Sequence, residues 1–229
     1  MPVEEQPRAR VVDLTHVIRD GMTTVPGLPG PEIGDHLTRE ESRSRYAPGT
    51  EFHMGRISMI GNTGTYLDTP YHRYPDGVDL AGLPLVRTVD LDGLVVRVTG
   101  AADRAIGQEA LLPYDVTGRA VLIHTGWDRH FGTERYGRDH PYLTGEAARW
   151  LAERRPALVG IDSVNIDDMS PAAAGARPAH SVLLAAGIPI VEHLRALDEL
   201  PTDGFRFHAA PLPVEGLGTS PVRAYAVVG

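Results

Sequence analysis

The apolar positions of this chain come in short runs broken by turn residues. "RVVDLTHVI" (10–18) predicts a first strand that runs into a polar turn. "GMTTVPGLPGPEIGD" (21–35) keeps neither a helical nor a strand period, and its prolines and glycines predict an extended loop. "EFHMGRISMI" (51–60) alternates and predicts a strand that delivers the chain to "GNTGTYLDTPYHRYPDG" (61–77). "GLVVRVTG" (93–100) and "RAVLIHTGW" (119–127) carry apolar runs of buried-strand length. "LTGEAARWLAERRP" (143–156) is the clearest helix: Thr144 can cap it, Glu146 sits in its first turn, and Ala148, Leu151 and Ala152 keep the helical spacing. "ALVGIDSVNID" (157–167) reads as a buried strand ending in acids. "AHSVLLAAGIPIVEHLRAL" (179–197) reads as a short helix, a stop at Gly187 and the strand "IPIVEHL". "FRFHAAPLPVEG" (205–216) and "PVRAYAVVG" (221–229) read as closing strands. Strands outnumber helices and some helices fall between strands, which predicts an α/β fold with a mixed sheet or barrel in one domain over 1–229.

Composition narrows the partners. With 22 Lys and Arg against 30 Asp and Glu, the 229-residue chain carries a formal charge of -8, a poor balance for nucleic-acid binding. No apolar run approaches the roughly 20 residues of a membrane span, and the polar start "MPVEEQPRAR" has no apolar leader core, so a cytoplasmic location is expected. There are no cysteines, so any metal must be held by histidine and oxygen donors.

Two groups of residues carry candidate chemistry. Asp68 and His72 lie four apart around the Thr69-Pro70 step, where a turn can bring them to one point; the alternative is that Asp68 caps its own turn as Asx residues do. Gly64 either lets the backbone approach a ligand or supplies a positive φ. His180 precedes an apolar helix, and Glu192 lies inside an apolar strand. That carboxylate must be paired, protonated, metal-bound or turned to solvent at an edge, with Val191 and His193 then facing inward. The other histidines read as surface or packed residues, although His53, His124 and His208, on strand-like segments, could reach a pocket. Asp162, Asp167 and Asp168 read as strand-end turn and capping residues. Phosphate-loop, nucleophile-elbow and H-E-x-x-H patterns are absent.

Taken together, these blocks resemble the cyclase-like family of metal-dependent hydrolases, which includes bacterial kynurenine formamidase and isatin hydrolase. The family signature H-x-G-T-H-x-D-x-P-x-H stands here as Asn62-Thr63-Gly64-Thr65-Tyr66-Leu67-Asp68-Thr69-Pro70-Tyr71-His72. "VVDLTHVIRDGM", "HTGWD", "VGIDSVNID", "HSVLLAAGIPIVEHLRAL" and "SPVRAYAVV" match further blocks in the family's order. The resemblance implies a compact α/β domain with a barrel-like mixed sheet, surrounding helices and assembly as a homodimer or homotetramer. It implies metal ligation by Asp68, His180 and Glu192 and an acid/base role for His72. It also places histidine ligands where this chain has Asn62 and Tyr66, an amide and a phenol that bind metal poorly.

The function implied is hydrolysis of an amide, lactam, lactone or ester in a small molecule, aromatic substrates included. One divalent ion (Zn or Mn) would be held by Asp68, His180 and Glu192, His72 would move the proton, and Tyr66 or Asn62 would donate to the oxyanion. Two other readings stand beside it. One is a metal-free cyclase, dehydratase or isomerase using His72, Asp68 and Tyr66; the other is a non-catalytic small-molecule binding protein.

Overall fold

The computed structural model describes residues 9–101 and 103–229; the polar stretch 1–8 read above lies outside them. Thirteen strands occur among the described residues. They are β1 (Arg10–Asp13), β2 (Glu32–Leu37), β3 (Met54–Ser58), β4 (Tyr66–Asp68), β5 (Leu91–Arg97), β6 (Ala105–Ile106), β7 (Ala120–His124), β8 (Tyr142–Leu143), β9 (Leu158–Ile161), β10 (Ile190–Glu192), β11 (Phe205–His208), β12 (Thr219–Pro221) and β13 (Tyr225–Val228). The helices are α1 (Arg39–Ser42), α2 (Gly145–Arg154) and α3 (Pro178–Ala185).

Nine strands form one curled sheet in the order β1-β13-β11-β5-β7-β9-β10-β4-β12. Its centre, β5-β7-β9-β10, is parallel, and both flanks are antiparallel. The apolar runs predict an α/β fold with a mixed sheet or barrel, and the sheet is mixed and curled into a half-barrel with few helices. Central parallel strands are covered on both faces, so they read as continuous apolar stretches. Along β7, Ala120 and Leu122 point into one core with Leu67, Val95, Val191 and Phe207. Val121 and Ile123 point into a second core, under α2 and α3, with Ala147, Leu151, Ala179 and Leu183. The strand period of two thus assigns each residue its core.

The helix α2 begins and ends as its residues dictate. The Thr144 hydroxyl accepts from the Ala147 amide at 3.1 Å, and Arg155 closes the helix in the left-handed region. Gly187, at φ 71°, ends the run after α3. The strand expected across "IPIVEHL" is confined to β10, because His193 adopts φ 57° and turns the chain out of the sheet.

Two expectations need correction. The loop "GMTTVPGLPGPEIGD" ends in strand β2, and β3 pairs with β2 in a separate two-stranded ribbon outside the main sheet. Ribbon pairing is a non-local choice, and Ile33, Met54 and Ile57 stay exposed on it. The stretch around Asp68, read as a turn, supplies β4, which sits between β10 and β12; only Pro70–His72 turns, as a single 3-10 turn. Among the described residues, no helix is long and apolar enough to cross a membrane.

Core packing depends on a missing side chain at Gly93 in β5. A Cβ there would lie 1.9 Å from the buried Phe205 ring. Gly93→Ala is expected to cost about 1–3 kcal/mol by overpacking. Urea unfolding should show part of that loss recovered in Gly93→Ala/Phe205→Leu; an unchanged midpoint for the single variant would refute the close packing.

Candidate active site

Strand register assembles the site. In β4, Tyr66 and Asp68 share one face while Leu67 points to the opposite core. Across the ladder Tyr66 pairs with Glu192 and Asp68 with Ile190; on the other side Asp68 pairs with Thr219. Tyr66, Asp68, Glu192 and Thr219 therefore fall on the face that α3 covers, and α3 brings His180. The turn after β4 brings His72 back to the same point. Of the sequence-derived residues, Asp68, His72, Tyr66, His180 and Glu192 converge here, with Asn62 beside the Tyr66 hydroxyl.

Asp68 is fully buried. Its Oδ1 accepts from the Thr219 hydroxyl at 2.6 Å, and its Oδ2 has no hydrogen-bond partner among the described residues. This is not Asx capping of a local turn: the contact is 151 residues away in sequence. His72 Nδ1 lies 2.7 Å from the same Thr219 oxygen and 3.8 Å from Asp68 Oδ1. A carboxylate only accepts, so the Thr219 O–H donates to Asp68 and its oxygen accepts from His72 Nδ1–H. Assigned from this network, His72 keeps its Nε2 lone pair free for a proton. The half-exposed ring opens onto a cavity of ≈ 380 Å³ that His180 also lines.

His180 is oriented the same way. Asp167 accepts from His180 Nδ1 at 2.7 Å and from the Ala179 and His180 amides at 2.6 and 3.0 Å. One carboxylate thus satisfies the start of α3 and fixes the imidazole, leaving Nε2 3.6 Å from both Asp68 Oδ2 and Glu192 Oε1. Burial alone would lower the His180 pKa, but the charge of Glu192, the bond to Asp167 and the charge of Asp68 outweigh it and push it up.

Glu192 sits on an internal strand, fully buried, so it does not face solvent at an edge. Its Oε1 accepts from the Ile166 amide at 2.6 Å and its Oε2 from the Tyr66 hydroxyl at 2.6 Å. Burial, with the nearby Asp68 charge, pushes its carboxyl up. Burial and then the charges of Glu192 and Asp68 hold the Tyr66 phenol well above its ordinary value, so it stays a protonated donor. Asp68, His72 and His180 form a cluster whose donor atoms lie within 4.8 Å of one another and could hold a metal ion. A buried unpartnered carboxylate oxygen beside a fixed imidazole nitrogen fits a divalent cation. Glu192 joins this cluster through His180.

Thr219 and Asp167 have positioning roles that the sequence reading left out. Thr219 carried no signal at all, and Asp167 read only as a strand-end acid, 13 residues from the imidazole it holds. Asp168 behaves as expected and accepts from Ser170 two residues on, whereas Asp162 makes no local turn but accepts from Thr125 and Gly126, 37 and 36 residues away. Gly64 takes φ 66°, which settles its role as a left-handed position. His53, His124 and His208 make their contacts elsewhere, with Asp35, Arg97 and Tyr225.

Behind Tyr66 stands an aromatic wall. His193 lies 5.0 Å from the Tyr66 ring centroid and meets the Tyr136 hydroxyl at 2.9 Å. His16 stacks on Phe131 at 3.6 Å, and its amide donates to Thr65. Burial, then the charges of Arg195 and Arg19, lower the His16 pKa from 6.5 to about 4.

The "Putative cyclase" family model matches residues 12–168, more than half of the chain. Kynurenine formamidase from Geobacillus thermodenitrificans (strain NG80-2) is 30% identical over 87% of this chain and 90% of its own. The kynurenine formamidase of Erythrobacter litoralis (strain HTCC2594) is 28% identical over 90% and 88%. Among solved structures, isatin hydrolase A from Labrenzia aggregata, bound to benzyl benzoate, superposes with a TM-score of 0.82 at 26% identity, covering 96% of this chain and 94% of that one. The chain belongs to the cyclase family. It is an enzyme, a hydrolase.

Two outcomes follow from this geometry. Thr219→Ala frees the His72 Nδ1 proton from its acceptor and is expected to lower kcat about 10- to 100-fold. Thr219→Ser should restore turnover, and imidazole ¹⁵N spectra should show Nδ1–H in wild type but mixed tautomers in the Ala variant; one tautomer in both would refute the assignment. For His16, the unfolded chain takes up a proton near pH 6.5 and the folded chain only near about 4, so wild-type stability falls as pH drops through that window. The stability lead of wild type over His16→Gln, from urea midpoints, should be flat above about pH 7 and narrow towards pH 4. A lead that widens on acidification would contradict the buried neutral imidazole.

Proposed function

We propose that this hydrolase opens a C–N bond other than a peptide bond, in a formamide or lactam of a small aromatic molecule. The observation that carries the reading is the place of His180 Nε2, 3.6 Å from both Asp68 Oδ2 and Glu192 Oε1, with His72 beside Asp68. The names of the similar proteins, kynurenine formamidase and isatin hydrolase, support the bond type and the aromatic substrate.

Asp68, His180 and Glu192 would hold one divalent ion, zinc or manganese by donor type. Bound there, such an ion polarises the substrate carbonyl and makes an adjacent water more acidic. The residues do the rest. His72 Nε2 accepts the proton as the water oxygen bonds to the carbonyl carbon, then returns it to the nitrogen as the C–N bond breaks. Thr219 keeps the other face of that ring protonated throughout. Tyr66 stands where the family motif places a histidine; as a protonated phenol bonded to Glu192, it positions that carboxylate rather than acting as a ligand. Asn62, beside it and partly exposed, is the better placed of the two to donate to the developing oxyanion.

A metal-free reading has its own support, since a protonated His180 also balances the two carboxylates. The two readings part on variants. With formanilide and isatin as probes, the metal hydrolase predicts hydrolysis of at least one, lost at least about 100-fold in Asp68→Asn and lowered about tenfold in Tyr66→Phe. The metal-free enzyme predicts that Tyr66→Phe abolishes turnover. Undiminished turnover in Asp68→Asn contradicts both readings.

A further inference from the structure

The two oxygens of Glu192 are used differently. Oε1 accepts from the Ile166 amide at 2.6 Å and lies 3.6 Å from His180 Nε2, the nitrogen that is also 3.6 Å from Asp68 Oδ2. Oε2 accepts from the Tyr66 hydroxyl at 2.6 Å, and Asn165 Nδ2 approaches it at 3.5 Å. The Asn165 amide is oriented for this approach, because its oxygen accepts from the Asp167 backbone N–H at 3.0 Å. A carboxylate oxygen offers about two lone-pair sites. On Oε1 one remains after the Ile166 bond, whereas on Oε2 both are met by O–H or N–H donors.

The Tyr66 donor is locked in place. Tyr66 and Glu192 are direct partners in the β4–β10 ladder, so the register sets the phenol opposite the carboxylate. The ring is buried, and His193 backs it at 5.0 Å between centroids. His193 is itself held: its Nδ1 lies 2.9 Å from the Tyr136 hydroxyl, and its carbonyl accepts from the Thr65 hydroxyl at 2.6 Å.

The charges count the same way. Asp68 and Glu192 are the acids that face His180 Nε2, and one divalent ion balances the pair. Asp167 is matched instead by His180 Nδ1–H and the α3 amides. Asn62, beside the Tyr66 hydroxyl, is neutral. Among the described residues the metal-ligating cluster is Asp68, His72 and His180, with no second cluster at Oε2. A cation placed at Oε2 would meet hydrogen-bond donors where it needs lone pairs.

We propose that the Tyr66 hydroxyl stands in the place of a second cation. The site holds one ion, Glu192 binds it through Oε1 alone, and the bond from Tyr66 to Oε2 bars another. The proposal rests on the metal hydrolase reading above and adds what limits the number of ions. Tyr66 is then a positioning residue that acts through Glu192.

The test strips the protein with chelator, reloads it with excess Mn²⁺ and desalts it. The manganese count per chain is taken together with the electron paramagnetic resonance spectrum. Wild type should hold about one ion and show the spectrum of isolated Mn²⁺. Asn62→His/Tyr66→His removes the donor and supplies imidazole ligands beside Oε2. That variant should hold about two ions, and its spectrum should become that of an exchange-coupled pair. An ion bound elsewhere on this acidic chain would raise the count without coupling, so the coupling decides. If circular dichroism shows that the double variant does not fold, Tyr66→His alone carries the same prediction. A coupled pair in wild type overturns the proposal and leaves the hydrolytic reading standing. A folded variant whose ions stay uncoupled overturns it as well. A wild type that binds no Mn²⁺ ends the metal reading itself, and the proposal with it.

Discussion

Two carboxylates, Asp68 and Glu192, are buried completely on adjacent strands of the sheet. An isolated ionised carboxylate in such a place is very unfavourable, so the surrounding structure has to supply compensation. Each acid is met by donors from distant parts of the chain. Thr219 donates to Asp68, and Tyr66 and the Ile166 amide donate to Glu192. One oxygen, Asp68 Oδ2, is left without a hydrogen bond and faces His180 Nε2. The groups gathered around these acids are those the proposed hydrolysis would use: a fixed imidazole, a second imidazole at the cavity wall and a carboxylate oxygen without a hydrogen bond.

The sheet does this positioning with little help from loops. Because side chains alternate, β4 sends Leu67 into one core and Tyr66 and Asp68 to the other face. A one-residue slip of register would exchange them and put an acid into an apolar core. The packing of Leu67 and Val191 on the far side therefore fixes the address of the reactive residues on the near side. Asp167 couples the start of α3 to the orientation of His180 in one carboxylate. Fold stability and site geometry share these contacts.

Much of this was legible in the sequence, for identifiable reasons. The apolar runs of β5, β7 and β9 reported buried strands because both faces of the sheet are covered. Thr144 and Gly187 reported the limits of helical runs because capping is local. Asp68, His72, His180 and Glu192 stood out as polar groups in apolar or turn settings, and the motif order linked them. What escaped were contacts set by pairing at long range. The β2–β3 ribbon lay hidden in a proline-rich stretch, and β4 was masked by the Thr-Pro step that ends it. Thr219, an ordinary residue near the end of the chain, meets Asp68 and His72 only once β12 has paired with β4. Tyr66 read as a departure from a motif; its partner Glu192 lies 126 residues away.

The central claim is that Asp68, His180 and Glu192 share a divalent cation. The most direct measurement counts metal per chain by elemental analysis in purified wild-type protein and in His180→Asn, alongside the thermal midpoint of each with and without added zinc or manganese. The account predicts about one ion per chain and a cation-dependent rise in Tm for the wild type, in line with ligand-linked stabilisation, and loss of both in the variant. Wild-type protein that holds no ion, shows no shift in Tm and still turns over its substrate fully would contradict it.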